Sequence, residues 1–314
     1  MSLSAKFIAG NGIFPMTMDY LRLMKYPGAK TAMLPELTRI IGGSGCRIVV
    51  DVFGGSGLVS LSLHGVSVVY NDLDPEVYNL FLQIKKNPSR LKHLLIQRID
   101  ELFHPGGKEI LQNRSRNEIV RKALVQRASS GHSNKYETKS DPVLRAEETL
   151  FRFNVSFGGL GKTYSTDREK SPARYIEKTI AQYDMISAKV HNWRLENLDF
   201  RSVVEKYDSS EVLFYLDPPY PGKEWYNFNF RDDDFRELKL LIDRVAGHYI
   251  LNVDDNIPMI TGIFGRPTFL RSYPSNNRKD GSRPEEAKKK AFYMNFDDPV
   301  SSKDIKSKRP RRSY

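Results

Sequence analysis

Residues 46–72 read CRIVVDVFGGSGLVSLSLHGVSVVYND, and this stretch decides the fold. It opens with a β-branched run, 46–52, which predicts a buried strand. The residues that follow predict, in order, a glycine-rich turn, a short apolar helix and a second β-branched strand (53–57, 58–64 and 66–70). The second strand ends in Asn71 and Asp72. A strand, a helix and a strand in this order form a βαβ unit, which requires a parallel sheet.

The same kind of pattern returns later in the chain. Residues 212–216, VLFYL, predict a core strand. The tetrapeptide DPPY (217–220) ends that strand abruptly, because proline has no N–H to give to a central strand. Apolar residues at helical spacing predict a helix over 234–246, and 249–253 predicts a further strand. Both parts together predict an α/β fold.

The residues between these two parts differ in composition. Residues 85–195 are rich in Lys, Arg, Gln, Asn and Ser, which predicts a polar, mostly helical insert with an exposed loop at 128–142. A basic tail without an apolar pattern ends the chain and predicts disorder. The predicted boundaries are 20–84 and 196–296 for a discontinuous α/β domain, 85–195 for the insert and 297–314 for the tail.

The composition describes a basic globular protein. Of the 314 residues, 39% are hydrophobic, so a substantial core can form. Lys and Arg number 49 against 38 Asp and Glu, which gives a formal net charge of +11 and a sequence pI of ≈ 9.5. Such an excess attracts polyanions, for example nucleic acid or an anionic surface. A protein that is merely basic is the alternative.

Several classes of protein are excluded or disfavoured. Cys46 is the one cysteine, which rules out an intramolecular disulfide, and the six histidines show neither zinc-finger nor HExxH spacing. No apolar run approaches the length of a membrane span, and the mean hydropathy is −0.50. The N-terminus lacks the apolar stretch of a signal peptide. We therefore expect a cytoplasmic protein without a metal or a membrane span.

The glycine-rich turn is the first candidate binding site. Gly55 and Gly57 lie where backbone without a Cβ can approach a ligand closely, and Asp72 ends the next strand, where a carboxylate can bind ribose hydroxyls. The pattern fits several nucleoside cofactors, although NAD would require a third glycine at the position of Ser60. A tight turn without any ligand is the alternative.

The DPPY motif is the second candidate. It places a carboxylate, a backbone carbonyl and an aromatic ring at the carboxyl end of a strand, where open α/β sheets bind ligands. The Asp217 carboxylate and a neighbouring carbonyl can accept hydrogen bonds from an exocyclic amino group, and Tyr220 can stack on the attached base. A strand-ending turn, with Tyr220 as a packing residue, is the alternative.

Two further motifs are weaker. KYPGAK (25–30) predicts a Pro-Gly turn before an amphipathic helix at 31–41, and Lys30 near the helix start could bind a carboxylate or a phosphate. FGGLGKT (157–163) is similar to a P-loop, but Ser156 stands where the signature has its first glycine, and no strand-like run precedes it. These departures argue against a nucleoside triphosphatase.

The order of the motifs is more specific than any one of them. PGxK near the N-terminus, FxGxG after the first strand, Asn-Asp after the second, a basic insert and then DPPY resemble the Dam-like D12 class of DNA N6-adenine methyltransferases. The matching segments run over 24–72, 151–166 and 212–256. The resemblance implies a Rossmann-like sheet of the S-adenosylmethionine-dependent methyltransferases. The α/β domain would bind the cofactor and catalyse the reaction, and the mostly helical insert would recognise the target.

The resemblance also implies roles for individual residues. Lys30 would lie near the methionine carboxylate of S-adenosylmethionine, and Asp72 would hold the ribose hydroxyls. The implied cofactor-binding residues are Tyr26, Lys30, Asp51, Phe53, Gly55, Gly57, Asp72 and Asp217. The implied catalytic residues are Asp217, Pro218, Pro219 and Tyr220.

The chemistry of adenine gives DPPY its implied mechanism. The N6 lone pair is delocalised into the ring, and hydrogen bonds to the Asp217 carboxylate and the Pro218 carbonyl would localise it for direct attack on the methyl group. The base must be flipped out of the duplex, with Tyr220 as its stacking partner. Methylation of cytosine C5 needs a cysteine nucleophile, whereas Cys46 begins a core strand. Cytosine N4 is also an exocyclic amine, so the chemistry leaves it open.

Residues 154–166 resemble the hairpin loop that contacts DNA in this family, and Phe157, Lys162 and Arg174 are the implied contacts. The chain reads Gly-Gly-Leu-Gly-Lys where many members have Asn-Gly-Leu-Arg, and Lys162 lacks the bidentate guanine recognition of arginine. Asp51-Val52 in place of Glu-Pro, and Tyr26 in place of tryptophan, are milder departures. The target sequence therefore stays open.

The leading hypothesis is a site-specific adenine methyltransferase that acts on double-stranded DNA in a bacterial or phage-type setting such as restriction-modification, without an obligate protein partner. One alternative is an RNA adenine methyltransferase, because a preference for the 2′-hydroxyl cannot be read from the residues. The other is a DNA-binding relic of the fold without turnover. The intact DPPY and glycine loop favour an enzyme.

Overall fold

The computed structural model describes residues 20–28, 30–103, 141–156, 172–220, 227–255, 257–273 and 288–298. Side chains within 100–103 and 172–174 and at 288 are left out of that description. None of the helices in these ranges is both long enough and apolar enough to cross a membrane.

The centre of the fold is a sheet of seven strands in the order β3-β2-β1-β4-β5-β7-β6. Strands β1 to β5 pair in parallel, and β7 runs antiparallel to both of its neighbours. The strands are β1 (Ile48–Asp51), β2 (Ser67–Asn71), β3 (Arg194–Glu196), β4 (Val212–Leu216), β5 (His248–Asp254), β6 (Phe269–Tyr273) and β7 (Lys288–Met294). This mixed sheet with helices confirms the expected α/β, Rossmann-like fold.

Helices cover both faces of the sheet. Within the described ranges they are α1 (Leu34–Gly43), α2 (Leu58–Ser62), α3 (Pro75–Lys86), α4 (Pro88–Phe103), α5 (Pro142–Val155), α6 (Pro172–His191), α7 (Phe200–Tyr207), α8 (Asp232–Ile242) and α9 (Pro258–Phe264). A short 3-10 turn, Thr31–Met33, precedes α1.

The βαβ unit forms because each local signal agrees with the sheet. Strand β1 is buried from Val49 to Asp51, and all five residues of β4 are buried, as expected for central parallel strands. Helix α3 follows β2 directly: the Asp74 side chain accepts a hydrogen bond from the backbone N–H of Glu76, and Pro75 occupies the first turn. The carboxyl ends of β1, β2 and β4 therefore meet at one edge of the sheet.

Two hydrophobic clusters hold the three layers together. Helices α1 to α6 contribute side chains to the cluster on one face, together with residues such as Val49 and Leu213 of the sheet. Helices α7, α8 and α9 cover the other face, where Val50 and Phe214 lie. Neighbouring residues of one strand point to opposite faces, so the central strands are buried on both sides.

The described helices of the predicted insert share the core of the α/β domain. Leu91 of α4, Leu150 of α5 and Ile186 of α6 are fully buried in the same cluster as α1 and α3. The described part of 85–195 is thus mostly helical, apart from the start of β3 at Arg194, which belongs to the sheet, and it packs directly against the sheet domain. The division of the chain into domains stays a prediction, and most of the predicted exposed loop and of the tail lies outside the described residues.

The predicted elements occur with shifted ends, and three strands had no counterpart in the sequence prediction. The helix predicted at 234–246 spans Asp232–Ile242, and the strand predicted at 249–253 spans His248–Asp254. Strand β3 has three residues and is too short for a pattern, and β7 begins with three lysines that hide its apolar half. Strand β6, at the edge of the sheet, is only partly buried.

Gly57 offers a test of this local geometry. Its φ is +66°, and an added Cβ would lie 2.8 Å from Cζ of Phe81. Gly57→Ala should therefore lower the free energy of unfolding by about 1–3 kcal/mol, measured by urea denaturation. Gly262→Ala in α9 is the matched control, because an added Cβ there meets nothing within 4 Å, and it should be neutral or slightly stabilising. Equal stability of the two variants would contradict this account.

Candidate functional site

A cleft opens at the carboxyl ends of β1, β2 and β4. Its walls are formed by the Pro-Gly turn before α1, the glycine loop after β1, the end of β2 and the residues after β4, together with residues just before α7 and α8. Of the residues predicted from sequence, Tyr26, Lys30, Asp51, Phe53, Gly55, Asp72, Asp217 and Pro219 line this cleft. Gly57, Pro218 and Tyr220 lie next to it without lining it.

The glycine loop packs on stacked aromatic rings of the protein core. Tyr70 donates a hydrogen bond of 2.6 Å from its hydroxyl to the carbonyl oxygen of Gly55, and its ring is stacked on Trp193. An added Cβ at Gly54 would lie 2.1 Å from the Tyr70 ring, and one at Gly55 would lie 2.7 Å from the ring of Tyr26. The loop therefore fits tightly between two tyrosines. A larger residue in place of either glycine would force the loop or the neighbouring tyrosine ring to move.

Asp72 is fixed at the end of β2 by backbone donors. One oxygen of its carboxylate accepts a hydrogen bond of 2.7 Å from the N–H of Gly55, and the other accepts one of 2.9 Å from the N–H of Asp74. The side chain is 9% exposed. Burial raises the pKa of Asp72 to about 7, against the opposing effect of these hydrogen bonds. The carboxylate at the end of β2 is thus hydrogen-bonded to the glycine loop that follows the neighbouring strand β1.

Asp51 lies at the end of β1 and is 2% exposed. Its carboxylate accepts a hydrogen bond of 2.6 Å from the hydroxyl of Ser60, the residue whose presence argued against an NAD fingerprint. Burial raises the pKa of Asp51 to about 7, and the nearby carboxylates of Asp217 and Asp72 add to this effect. Ser60 therefore has a structural role here that a glycine could not fill.

Asp217 forms an ion pair with Lys30 across the cleft. The ammonium of Lys30 lies 2.5 Å from Oδ2 of Asp217 and 2.8 Å from the carbonyl oxygen of Gly28, and the lysine is 5% exposed. Oδ1 of Asp217 is buried and has no hydrogen-bond partner. The two motifs meet although 187 residues separate them in sequence. Contact of Lys30 with a methionine carboxylate stays a prediction.

An aromatic wall forms the other end of the cleft. The ring centres of Phe53 and Phe230 are 5.3 Å apart, and those of Phe53 and Phe200 are 6.0 Å apart. Asp199, which precedes α7, also lines the cleft, as does Asn227. Asp199, Phe200 and Phe230 line the cleft but were not predicted from the sequence. A signal existed in the Asp-Phe pair after β3, but that strand is too short to be recognised.

Tyr220 is buried beside the cleft, with 5% of the residue exposed. Lys290 of β7 donates a hydrogen bond of 2.8 Å to its hydroxyl and also pairs with Asp254 of β5. Burial raises the pKa of Tyr220 above its ordinary value, so the phenol stays neutral. Stacking of Tyr220 on a base stays a prediction.

The predicted DNA contacts are outside this description. Phe157 and Lys162 lie outside the described residues, as does the P-loop-like segment 157–163. Arg174 belongs to α6, but its side chain is not described. Directly before the P-loop-like segment the chain forms helix α5 instead of the strand that a P-loop requires.

The cleft contains two buried polar atoms that a ligand could satisfy. The hydroxyl of Tyr215, a residue 2% exposed, and Oδ1 of Asp217 both lack a hydrogen-bond partner in the cleft. Polar groups of a ligand would satisfy both atoms, whose burial without a partner is otherwise unfavourable. A ribose can reach Asp72, and an aromatic base can pack among the phenylalanines at the other end.

The raised pKa of Asp72 predicts a pH effect on stability. The folded pKa of about 7 exceeds the ordinary value of 3.8, so the Asp72 carboxyl loses its proton at lower pH in the unfolded chain than in the folded protein. The free energy of unfolding therefore decreases as pH rises from about 3.8 to about 7. Asp72→Asn cannot titrate. Its stability relative to the parent should therefore rise by on the order of 1–3 kcal/mol from pH 5 to pH 8 in urea denaturation without cofactor. A difference that does not change with pH would refute the raised pKa.

Comparisons with known proteins identify the family. The model of the D12 class N6 adenine-specific DNA methyltransferases matches residues 26–260. A Type II methyltransferase, M1.LlaDCHI of Lactococcus lactis subsp. cremoris, is 24% identical over 202 residues, which cover 62% of this chain and 64% of that relative. The chain thus spans just under two thirds of the relative's length. Since the family model covers most of the chain and both key motifs, the chain belongs to the D12 class of N6 adenine-specific DNA methyltransferases.

Proposed function

We propose that this protein transfers the methyl group of S-adenosylmethionine to N6 of an adenine in a specific site of double-stranded DNA. The observation that carries the proposal is the state of Asp217. One of its carboxylate oxygens is held by Lys30, and the other is buried without a hydrogen-bond partner at the edge of a cleft that fits a nucleoside. Membership of the D12 class supports the same reaction.

The cleft offers a separate group of residues for each part of the cofactor. Asp72 would hold the ribose hydroxyls, and Phe53, Phe200 and Phe230 would pack against the adenine ring. Tyr215 and the turn that carries Lys30 lie where the amino-acid part would extend. S-adenosylmethionine supplies a methyl group on a positively charged sulfur, which makes that methyl group electrophilic.

Asp217 would act on the target base through its uncommitted oxygen. Oδ1 would accept a hydrogen bond from the exocyclic N6 amine, and the Pro218 carbonyl would accept the second. Both hydrogen bonds localise the nitrogen lone pair and orient it. Lys30 meanwhile fixes the carboxylate through Oδ2, so the group is positioned before the base arrives.

Delivery of the base requires DNA contacts and base flipping. A paired N6 amine cannot reach Asp217 inside a duplex, so the adenine must leave the stack. We infer that Tyr220 stacks on the flipped base and that Phe157, Lys162 and Arg174 contact the DNA. The proposed setting is a bacterial or phage cytoplasm in which methylation protects DNA, as in restriction-modification. No protein partner is needed for the reaction as proposed.

The direct test is transfer of labelled methyl from S-adenosylmethionine to mixed-sequence duplex DNA, followed by nucleoside analysis. N6-methyladenine is the expected product. N4-methylcytosine would overturn the base assignment, and label found only in an RNA substrate would overturn the DNA assignment. Cofactor binding without any transfer would identify a catalytically silent relic.

Asp217→Asn tests the proposed role of the carboxylate. The variant keeps the size of the side chain but loses the charge that pairs with Lys30 and that polarises the amine. Turnover should fall by at least about 100-fold, while affinity for duplex DNA stays within about threefold of the parent in a gel-shift titration. Undiminished turnover would exclude Asp217 from the chemistry.

Asp72→Ala tests the assignment of the cofactor site. Loss of the carboxylate should weaken binding of S-adenosylmethionine by about tenfold or more in calorimetry, because its hydrogen bonds to the ribose would be lost. Asp233→Ala is the control, since that side chain is 91% exposed on α8. If both variants bound the cofactor like the parent, the ribose would have to lie elsewhere.

A further inference from the structure

Two lysines, each paired with an aspartate, lie close to the ring of Tyr220. The ammonium of Lys30, which is bound to Asp217, is 5.1 Å from the centre of the Tyr220 ring. The ammonium of Lys290 is 4.5 Å from the same centre and donates a hydrogen bond of 2.8 Å to the hydroxyl. Its second partner is the carboxylate of Asp254. The ring of the DPPY tyrosine is therefore held at its polar end.

Strand register brings Lys290 to this place. Asp254 ends β5 at the edge of the sheet where Asp217 follows β4, and Lys290 is the residue that pairs with Asp254 across to the antiparallel strand β7. Because neighbouring residues of a strand point to opposite faces, Lys289 projects away from Lys290 and is exposed. Of the two lysines in this run whose side chains are described, Lys290 faces the active-site edge and Lys289 does not.

Two observations separate Lys290 from an ordinary basic surface residue. Its side chain is 13% exposed, and its charge is balanced by Asp254, so it is poorly placed to bind a phosphate of the DNA backbone. It also contacts the hydroxyl of Tyr220 directly, whereas an ion pair that only joined β5 to β7 would need no such contact. The contact reaches the residue on which the target base is expected to stack.

We propose that Lys290 is a positioning residue for methyl transfer. With Asp254 as its counter-ion, it holds the Tyr220 hydroxyl and fixes the orientation of the ring against which the flipped adenine stacks. This inference rests on the proposed function. Because the ring is already ordered before the base binds, no side-chain entropy is lost in ordering a mobile tyrosine during each turnover. It also keeps the adenine amine in register with Asp217, where small displacements strongly reduce rate.

Lys290→Met tests the proposal, with Lys289→Met as the matched control on the same strand. After the parent has been shown to methylate DNA, kcat of Lys290→Met should be at least about tenfold lower, with KM for S-adenosylmethionine unchanged. Lys289→Met should keep the kcat of the parent. Lys290→Arg retains the charge and the donor and should recover most of the rate. A parent without transfer would overturn the proposed function, whereas an active parent with an equally active Lys290→Met would overturn this inference alone.

A spectroscopic measurement separates positioning from general stability. With 2-aminopurine at the mapped target adenine, the flipped base should be less quenched in Lys290→Met than in the parent, because stacking on Tyr220 is less ordered. Tyr220→Phe keeps the ring and removes the hydroxyl, so it should lose a similar share of kcat, and the double variant should lose little more. If Lys290→Met does not fold, Tyr220→Phe still decides the question: unchanged kcat and unchanged quenching would refute the proposal.

Discussion

Carboxylates concentrate at one edge of the sheet, and the rest of the site is arranged around this constraint. Asp51 ends β1, while Asp72 and Asp217 follow its neighbours β2 and β4, so the fold itself brings the three carboxylates together. Burial raises the pKa of Asp51 and of Asp72 to about 7, which reflects how unfavourable their charges are here. Lys30 offsets the charge of Asp217. A cleft of this kind favours a ligand that carries positive charge, and the proposed cofactor, S-adenosylmethionine, carries it on both its sulfur and its amino group.

At this edge, some polar groups already have hydrogen-bond partners within the protein, and others could be satisfied only by a ligand. The glycine loop is confined by Tyr70 beneath it and Tyr26 beside it, and both oxygens of Asp72 already accept backbone hydrogen bonds. The Tyr215 hydroxyl and Oδ1 of Asp217, in contrast, are buried without partners. The frame of the site is therefore built by the protein alone, and the remaining hydrogen bonds are available at the positions where cofactor and base would meet.

Local sequence patterns predicted the central strands and the loops of the cleft well, but they did not predict the side-chain pairs between residues distant in sequence. The β-branched runs, the glycine turn and DPPY identified β1, β2, β4 and the cleft, because each signal is contained in a few consecutive residues. The Lys30–Asp217 pair joins residues far apart in sequence, and nothing in either motif specifies the partner. Lys290 was not predicted for a related reason: the register of β7 on β5 places it opposite Asp254, and the sequence alone does not specify that register. Asp199 and Phe200 were missed because β3 is short.

The charge of the chain is divided in a way that complements the site. The described residues contain equal numbers of basic and acidic side chains, 27 of each, so the net charge of +11 comes from the other segments. Residues 104–140 hold eight basic against three acidic residues, and 299–314 hold six against one. Lys30 lines the cleft, Lys290 contacts Tyr220 beside it, and each of these lysines is paired with an aspartate. If the protein binds DNA as proposed, we expect attraction to its phosphates to come mainly from residues 104–140 and 299–314. In the proposed mechanism, Lys30 and Lys290 instead orient Asp217 and Tyr220 through these contacts.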